Sequence, residues 1–314
     1  MRHEAVGNAR MGMRRWRVWR FRDGKAGHDN QSQGLIDALT ALRPVDCATL
    51  APLPWPLAFA AGLRRRWPDA SGLPAPDLLI GAGHRTHCSL LAARRACGGR
   101  IVVLMRPSLP LTLFDLCLIP EHDMPPLRSN VLATRGALNR IQPAQTLDSS
   151  QGLFLIGGPS AHFGWDSAAL YRQIAAIAAA DSPVSWTLTT SRRTPAEFLE
   201  DLRPLVDKRL QVVPVAETGP DWLPAQLARA GQVWVTADSV SMVYEALTAG
   251  AAVGILETPR QRPSRISRGL ERLTAEGWVT PFAEWRPGRT LHRPPGLFNE
   301  AERCARWIVE RWFA

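Results

Sequence analysis

The residues of this sequence that could do chemistry lie in short polar or glycine-rich segments, each following an apolar run. The first is Asp23-Gly24-Lys25-Ala26-Gly27-His28, continuing through Asn30 and Gln31. Glycines at 24 and 27 let a backbone approach an anion, and a helix starting there would offer its first N–H groups. Lys25 adds positive charge, and His28 is a titratable group at the mouth of the turn. The spacing is neither G-x-x-x-x-G-K-[ST] nor G-x-G-x-x-G, which excludes a nucleoside-triphosphate P-loop and a dinucleotide fingerprint. A tight turn with a solvated Lys and His is the plainer alternative. Gly81-Ala82-Gly83-His84 repeats the idea, with Arg85 and His87 close behind. Two histidines three apart could hold a metal or cap a helix, but no carboxylate accompanies them, and no metal is assigned. Arg106-Pro107-Ser108 and Pro120-Glu121-His122-Asp123 end two further runs. There an Arg suits an anion and a His or Asp suits general-base work, or both segments are ordinary loop polarity.

The second half is built the same way. Gly157-Gly158-Pro159-Ser160 is a strand-to-helix turn suited to a phosphate or pyrophosphate. Thr189-Thr190-Ser191-Arg192-Arg193-Thr194-Pro195 crowds hydroxyls and two guanidiniums onto one segment. Arginine pairs bidentately with phosphate oxygens, and Thr194 before Pro195 also suits a helix start. Asp238-Ser239-x-Ser241-Met242 opens a helix that carries Glu245 in its second turn. Ser and Asp cap helices, but capping leaves Glu245 unexplained among Met242, Val243, Ala246 and Leu247. A carboxylate there could accept hydrogen bonds from ribose hydroxyls, or be a half-exposed helix glutamate.

The elements that must position these turns follow from the apolar runs. Strand-like runs are expected at 16–21, 77–80, 100–105, 114–119 and 131–134, then at 153–156, 184–188, 210–215, 233–236 and 252–256. The run Ile101-Val102-Val103-Leu104 has the character of a parallel strand buried on both faces. Helix-like segments alternate with the strands, and Asn299 to Phe313 closes the chain with another. Alternation of this kind means parallel sheets covered on both faces, with ligands at the carboxyl ends of the strands. Residues 141–151 read as a linker, dividing an α/β chain into two Rossmann-like domains at 13–140 and 152–296. A flexible basic tail is expected at 1–12 and a terminal helix within 297–314 that could cross back to the first domain.

Length and composition agree with this. The chain has 314 residues, 46% hydrophobic and 21% charged, which suits two globular domains and excludes a disordered or fibrous protein. The formal charge of +10 suggests nucleic acid at first sight, but residues 1–25 hold eight basic side chains against two acids. Only Lys25 and Lys208 are lysines, a bias that points to a GC-rich genome. Nucleic-acid binding would rest on charge alone and is not expected. No stretch is long and apolar enough to span a membrane, and the five cysteines show no C-x-x-C pair, as in a reduced cytoplasmic protein.

Taken together and in order, these turn motifs resemble the mitochondrial-fission (elongated mitochondria) family of plants and its proteobacterial relatives, over about residues 16–285. The plant members are associated with recruiting a dynamin-related protein to mitochondria. The bacterial relatives are often labelled sugar-nucleotide epimerases, yet the G-x-x-G-x-x-G turn and Tyr-x-x-x-Lys pair of those enzymes are missing here. The layout is closer to GT-B glycosyltransferases, in particular the enzyme that adds N-acetylglucosamine to the lipid-linked peptidoglycan precursor. It shares the first Gly-rich turn ending in His, a second-domain Gly-Gly turn and a Ser-rich helix start followed by Glu. Pro159 and a missing Gln motif depart from that enzyme.

The resemblance implies two domains facing across a cleft and a metal-independent transfer of sugar from a nucleotide-sugar, UDP being the expected nucleotide, with no tightly bound cofactor. Gly157, Gly158, Ser160, Thr190, Ser191, Arg192 and Arg193 would hold the diphosphate, with Asp238, Ser239, Ser241, Met242 and Glu245 around the nucleotide and its ribose. His28 or Asp123 would be the general base. Asp23, Gly24, Lys25, Gly27, Asn30, Gln31, Gly83, His84, Arg106, Ser108 and His122 would form the acceptor side. Trp55, Phe59, Arg64, Arg65, Arg66 and Trp67 suit an anionic inner-membrane surface or a lipid-linked acceptor, or a core helix with a basic end. The alternative on the same fold is a non-catalytic scaffold that brings a protein partner to a membrane.

Overall fold

The computed structural model describes residues 14–68, 72–180, 183–262 and 265–313. The expected basic tail at 1–12 lies outside them. Along the chain there are two compact units, Met1–Arg140 with Glu300–Ala314, and Ile141–Asn299.

The first unit runs β1 (Trp16–Phe21), α1 (Ala26–Leu42), β2 (Val45–Leu50), α2 (Trp55–Arg64), β3 (Leu78–Ala82), α3 (His84–Cys97), β4 (Arg100–Leu104), β5 (Leu116–Pro120) and β6 (Val131–Thr134). Its six strands are all parallel, in the order β2-β1-β3-β4-β5-β6. Successive strand residues point to opposite faces, so Val18, Ile80 and Val102 enter one apolar layer with Leu35 and Leu39 of α1. Trp19, Leu79 and Val103 enter the other with Leu90 and Ala93 of α3. A sheet buried on both faces needs apolar residues at every position, which is what the run at 101–104 supplies.

The second unit runs β7 (Asp148–Leu155), α4 (Ser167–Ala178), β8 (Ser185–Thr189), α5 (Glu197–Leu202), β9 (Leu210–Val213), α6 (Trp222–Leu227), β10 (Ala230–Thr236), α7 (Val240–Ala249), β11 (Ala252–Leu256), α8 (Arg265–Ala275) and β12 (Thr280–Pro281). Its sheet is again six-stranded and parallel, ordered β12-β11-β10-β7-β8-β9. Layers on both faces fill it, one around Val233, Val243 and Leu247 and one around Phe154, Trp186 and Trp234. Then α9 (Glu300–Trp312) rejoins the first unit. Ala301, Cys304, Ala305 and Ile308, spaced at three and four, join the layer that holds α1.

The architecture is the expected α/β one, with two Rossmann-like units and parallel sheets. Three local expectations change. Residues 141–151 are not wholly a connection: Ile141 is in the second core and β7 begins at Asp148. The polar Asp148, Ser149 and Ser150 that suggested a linker are the solvent-facing start of a strand whose apolar half comes later. Strand β2 was not anticipated, because Val-Asp-Cys-Ala-Thr-Leu is half exposed at the sheet's edge and lacks an apolar run. Trp67, read as a membrane contact, is buried, with its ring 5.4 Å from Phe21 and 6.5 Å from Trp19.

Candidate functional site

In the first unit the motif turns follow β1, β3, β4 and β5 at one end of the sheet. Asp23 and His28 form its central pair, Nδ1 of His28 lying 2.9 Å from Oδ2 of Asp23. The other carboxylate oxygen accepts the Lys25 N–H at 3.1 Å. Burial pushes the Asp23 carboxyl up, but the bonds from Lys25 and His28 outweigh it and leave it below the usual carboxylate range. A buried carboxylate on one imidazole nitrogen orients the ring and leaves the other nitrogen to act as a base. Gly83 is needed beside this pair. Its φ is 85°, and a Cβ there would run into the His28 ring and the Asp23 carboxylate.

Arg20 fixes the turn from below. It is buried in β1 and donates to Ser32 Oγ (2.9 Å), Gln33 Oε1 (2.5 Å) and the Asp29 carbonyl (2.6 Å), tying the strand to the first turns of α1. Gln31 reaches Met105 Sδ at 3.5 Å, and Asn30 accepts the Arg140 N–H at 3.3 Å. Met105, at the end of β4, has a left-handed φ of 67°, the kind of strained non-glycine backbone that clusters at functional sites. Arg106 donates to the carbonyl of Asp123 at 3.0 Å, joining two of the motif turns. Ser108 Oγ lies 3.3 Å from His87 Nδ1. Burial, and secondarily His84, pushes the His87 imidazole down from 6.5 to about 4. His84 itself is exposed, as are Gly24, Lys25 and Gly27. His122 and Asp123 sit in the short 3-10 turn after β5.

In the second unit β8, β7 and β10 are adjacent, so the loops that follow them meet. Asp238 is at their centre, its side chain 1% exposed. Its Oδ2 accepts the Gly158 N–H (3.0 Å), Arg193 Nη2 (2.7 Å) and Ser239 Oγ (3.0 Å). Its Oδ1 is buried with no hydrogen-bond partner among the described residues. Arg193 also donates to the carbonyls of Gly158 (2.6 Å) and Pro159 (3.2 Å). The Gly157 N–H donates to Thr236 Oγ1 at 2.8 Å. Thr194 Oγ1 joins the carbonyls of Ile156 and Gly157 to the Ser191 N–H.

These contacts revise the expected phosphate cradle. The N–H groups of Gly157 and Gly158 are engaged by Thr236 and Asp238, so as they stand they are not the phosphate donors. A Cβ at 157 would meet the Asp238 carboxylate and Ser239 Oγ, and one at 158 the Arg193 carbonyl. The two glycines thus permit close loop packing. Ser160 Oγ accepts its own turn's N–H groups from His162 and Phe163, and Thr190 Oγ1 accepts the Val215 N–H at 3.1 Å. Cationic and N–H capacity remains in Arg192 and the start of α7, where Ser241 is exposed, whereas Arg193 is engaged within the turn. Met242 and Glu245 follow on α7, half exposed.

Thr236 and Thr194 belong to this constellation and were not singled out as binding residues. The signal for Thr236 was a hydroxyl ending the apolar run Val233-Trp234-Val235. Among the described residues no group of three His, Cys, Asp or Glu could hold a metal ion.

Two parallel six-stranded α/β units with their polar turns at strand ends define a GT-B-like architecture. The model of the mitochondrial fission ELM1 family matches residues 26–312, and the chain belongs to that family. No curated protein shows significant sequence similarity to it. Among solved structures, a candidate UDP-N-acetylglucosamine 2-epimerase from Listeria monocytogenes is similar with a TM-score of 0.56 at 8% identity, covering 95% of this chain and 89% of that one. The UDP-GlcNAc 2-epimerase of Neisseria meningitidis bound to UDP-GlcNAc gives 0.48 at 11%, covering 95% and 100%. The glycosyltransferase SnogD of Streptomyces nogalater gives 0.49 at 16%, covering 95% and 96%. At 8% identity the likeness to the Listeria structure concerns the fold alone.

Proposed function

We propose that the protein binds a nucleotide-sugar on its second unit and transfers the sugar to a hydroxyl of an envelope or lipid-linked acceptor. The observation that carries this is the constellation around Asp238, where three adjacent strand ends bring Arg193, Ser239 and the α7 N-terminus together beside the exposed Arg192. Charge on a leaving diphosphate would be met there by two guanidiniums and helix N–H groups. Glu245, one turn into α7, would accept the ribose hydroxyls, and UDP is the expected nucleotide. In the first unit His28, oriented by Asp23, has the chemistry of the base that takes the acceptor's proton. Asp123 is the second candidate base.

The adaptor reading is favoured by one observation, the internal engagement of the Gly157 and Gly158 N–H groups and of Arg193. Thermal-shift measurements with UDP-, GDP-, ADP- and CMP-sugars separate the two. Stabilisation by one series, lost in Glu245→Ala and Arg193→Ala, is expected of the transferase. No stabilisation at millimolar ligand refutes it.

A further inference from the structure

Helix α2 does not obey the usual pattern of a surface helix. Every residue from Trp55 to Leu63 is apolar or glycine, so when one side packs inward the other is apolar too. Ala58, Ala61 and Gly62 take the buried side. Trp55, Phe59 and Leu63, at i, i+4 and i+8, stand 72%, 68% and 68% exposed in a row about 12 Å long. Beside this row, between α2 and α3, opens a groove of about 400 Å³ with Cys88, Leu91 and Arg95 on its α3 side. A contiguous exposed apolar surface of this kind marks an interaction site.

Charge identifies the occupant. The helix ends in Arg64, Arg65 and Arg66, all exposed, and no acidic residue occurs between 51 and 68. Arg65 adopts a left-handed φ of 52°, which turns the chain off the helix at that point. The surface therefore complements something apolar inside and anionic at its boundary. A short helix with aromatic and aliphatic side chains on one side and guanidiniums at its end suits the plane between headgroups and acyl chains.

We propose that α2 and the groove beside it form a docking surface for an anionic phospholipid bilayer. Trp55, Phe59 and Leu63 enter among the acyl chains and Arg64–Arg66 meet headgroup phosphates. This does not depend on nucleotide binding, so the two proposals fail separately.

Vesicle co-sedimentation of the full chain tests it, using phosphatidylglycerol–phosphatidylcholine (3:7) against pure phosphatidylcholine. Wild type should partition at least tenfold better onto the anionic vesicles. Phe59→Ser with Leu63→Ser should lose at least tenfold, and Arg64→Gln, Arg65→Gln and Arg66→Gln about fivefold each at low salt. The altered side chains are exposed, so the melting temperature should hold. Phe59→Ser alone replaces the double variant if it does not. Equal partition onto the two vesicles, or variants that bind as wild type does, overturns the proposal. So does a self-association that Phe59→Ser abolishes, measured by light scattering, without vesicle binding.

Discussion

The Asp238–Arg193 pair yields a prediction in which stability and ligand affinity move in opposite directions. The perturbation is Asp238→Asn, which keeps the side chain's shape and removes its charge. Two unit charges about 4 Å apart attract by about 4 kcal/mol at an effective dielectric of about 20. The Asp238 side chain is 1% exposed but that of Arg193 is 44% exposed, so solvent screening reduces this to about 1–2 kcal/mol. The variant should unfold with about that much less free energy, lowering the melting temperature by roughly 3–6 °C. If a diphosphate draws Arg193 away from Asp238, the same energy is no longer spent on binding. UDP should then bind about tenfold more tightly to Asp238→Asn, since about 1.4 kcal/mol is a factor of ten. Isothermal titration calorimetry with UDP reads the affinity and differential scanning fluorimetry the stability. Arg193→Ala should abolish the gain in the double variant. A folded Asp238→Asn that binds UDP as wild type does, or more weakly, refutes the competition. Absence of UDP binding in wild type refutes UDP as the nucleotide, and absence of binding by all four nucleotide series refutes the transferase reading itself.

Two further predictions concern stability. His87 is held neutral in the fold, so between pH 6.5 and about 4 the unfolded chain binds a proton that the folded chain does not. Its contribution is complete above pH 6.5 and is lost as pH falls, by about 2 kcal/mol at pH 5. Urea unfolding at pH 7 and 5 should show that loss in wild type and not in His87→Asn. Gly34→Ala should destabilise although alanine is the better helix former by about 1 kcal/mol. Its Cβ would enter the Asn139 backbone, which cannot rotate away as a side chain could. A higher melting temperature for Gly34→Ala would contradict the close approach of α1 to that segment.

The strands were legible where both faces are buried, because parallel sheets demand unbroken apolar runs such as 101–104 and 233–235. The edge strand β2 and the polar start of β7 were not, since strand pairing there holds residues of mixed character. The turns were legible as a set, because glycine, hydroxyl and charge cluster after each run. Which partner each side chain takes was not. Nothing local distinguishes an Arg193 open to solvent from one held by an aspartate 45 residues on. Nor does it distinguish Arg17, exposed in β1, from Arg20, buried in the same strand and satisfied by α1. Trp67 misled for the same reason, since its place beside Arg64–Arg66 says nothing of Phe21 beneath it.

The internal engagement of the second unit's turn bears on how the enzyme and adaptor readings are weighed. A self-satisfied cluster could mean that no ligand is meant to enter. The energies argue otherwise. The Asp238–Arg193 attraction, after screening, is about 1–2 kcal/mol, whereas a ligand of millimolar to micromolar affinity brings about 4–8 kcal/mol. Opening the pair would weaken binding about tenfold without preventing it. It also leaves the Gly158 N–H held by Asp238, although the Gly158 and Pro159 carbonyls give up the Arg193 guanidinium. An aspartate that holds an arginine until a stronger anion arrives is compatible with reversible nucleotide binding. Only a pair sealed from solvent on both sides would exclude it, and Arg193 is open on one.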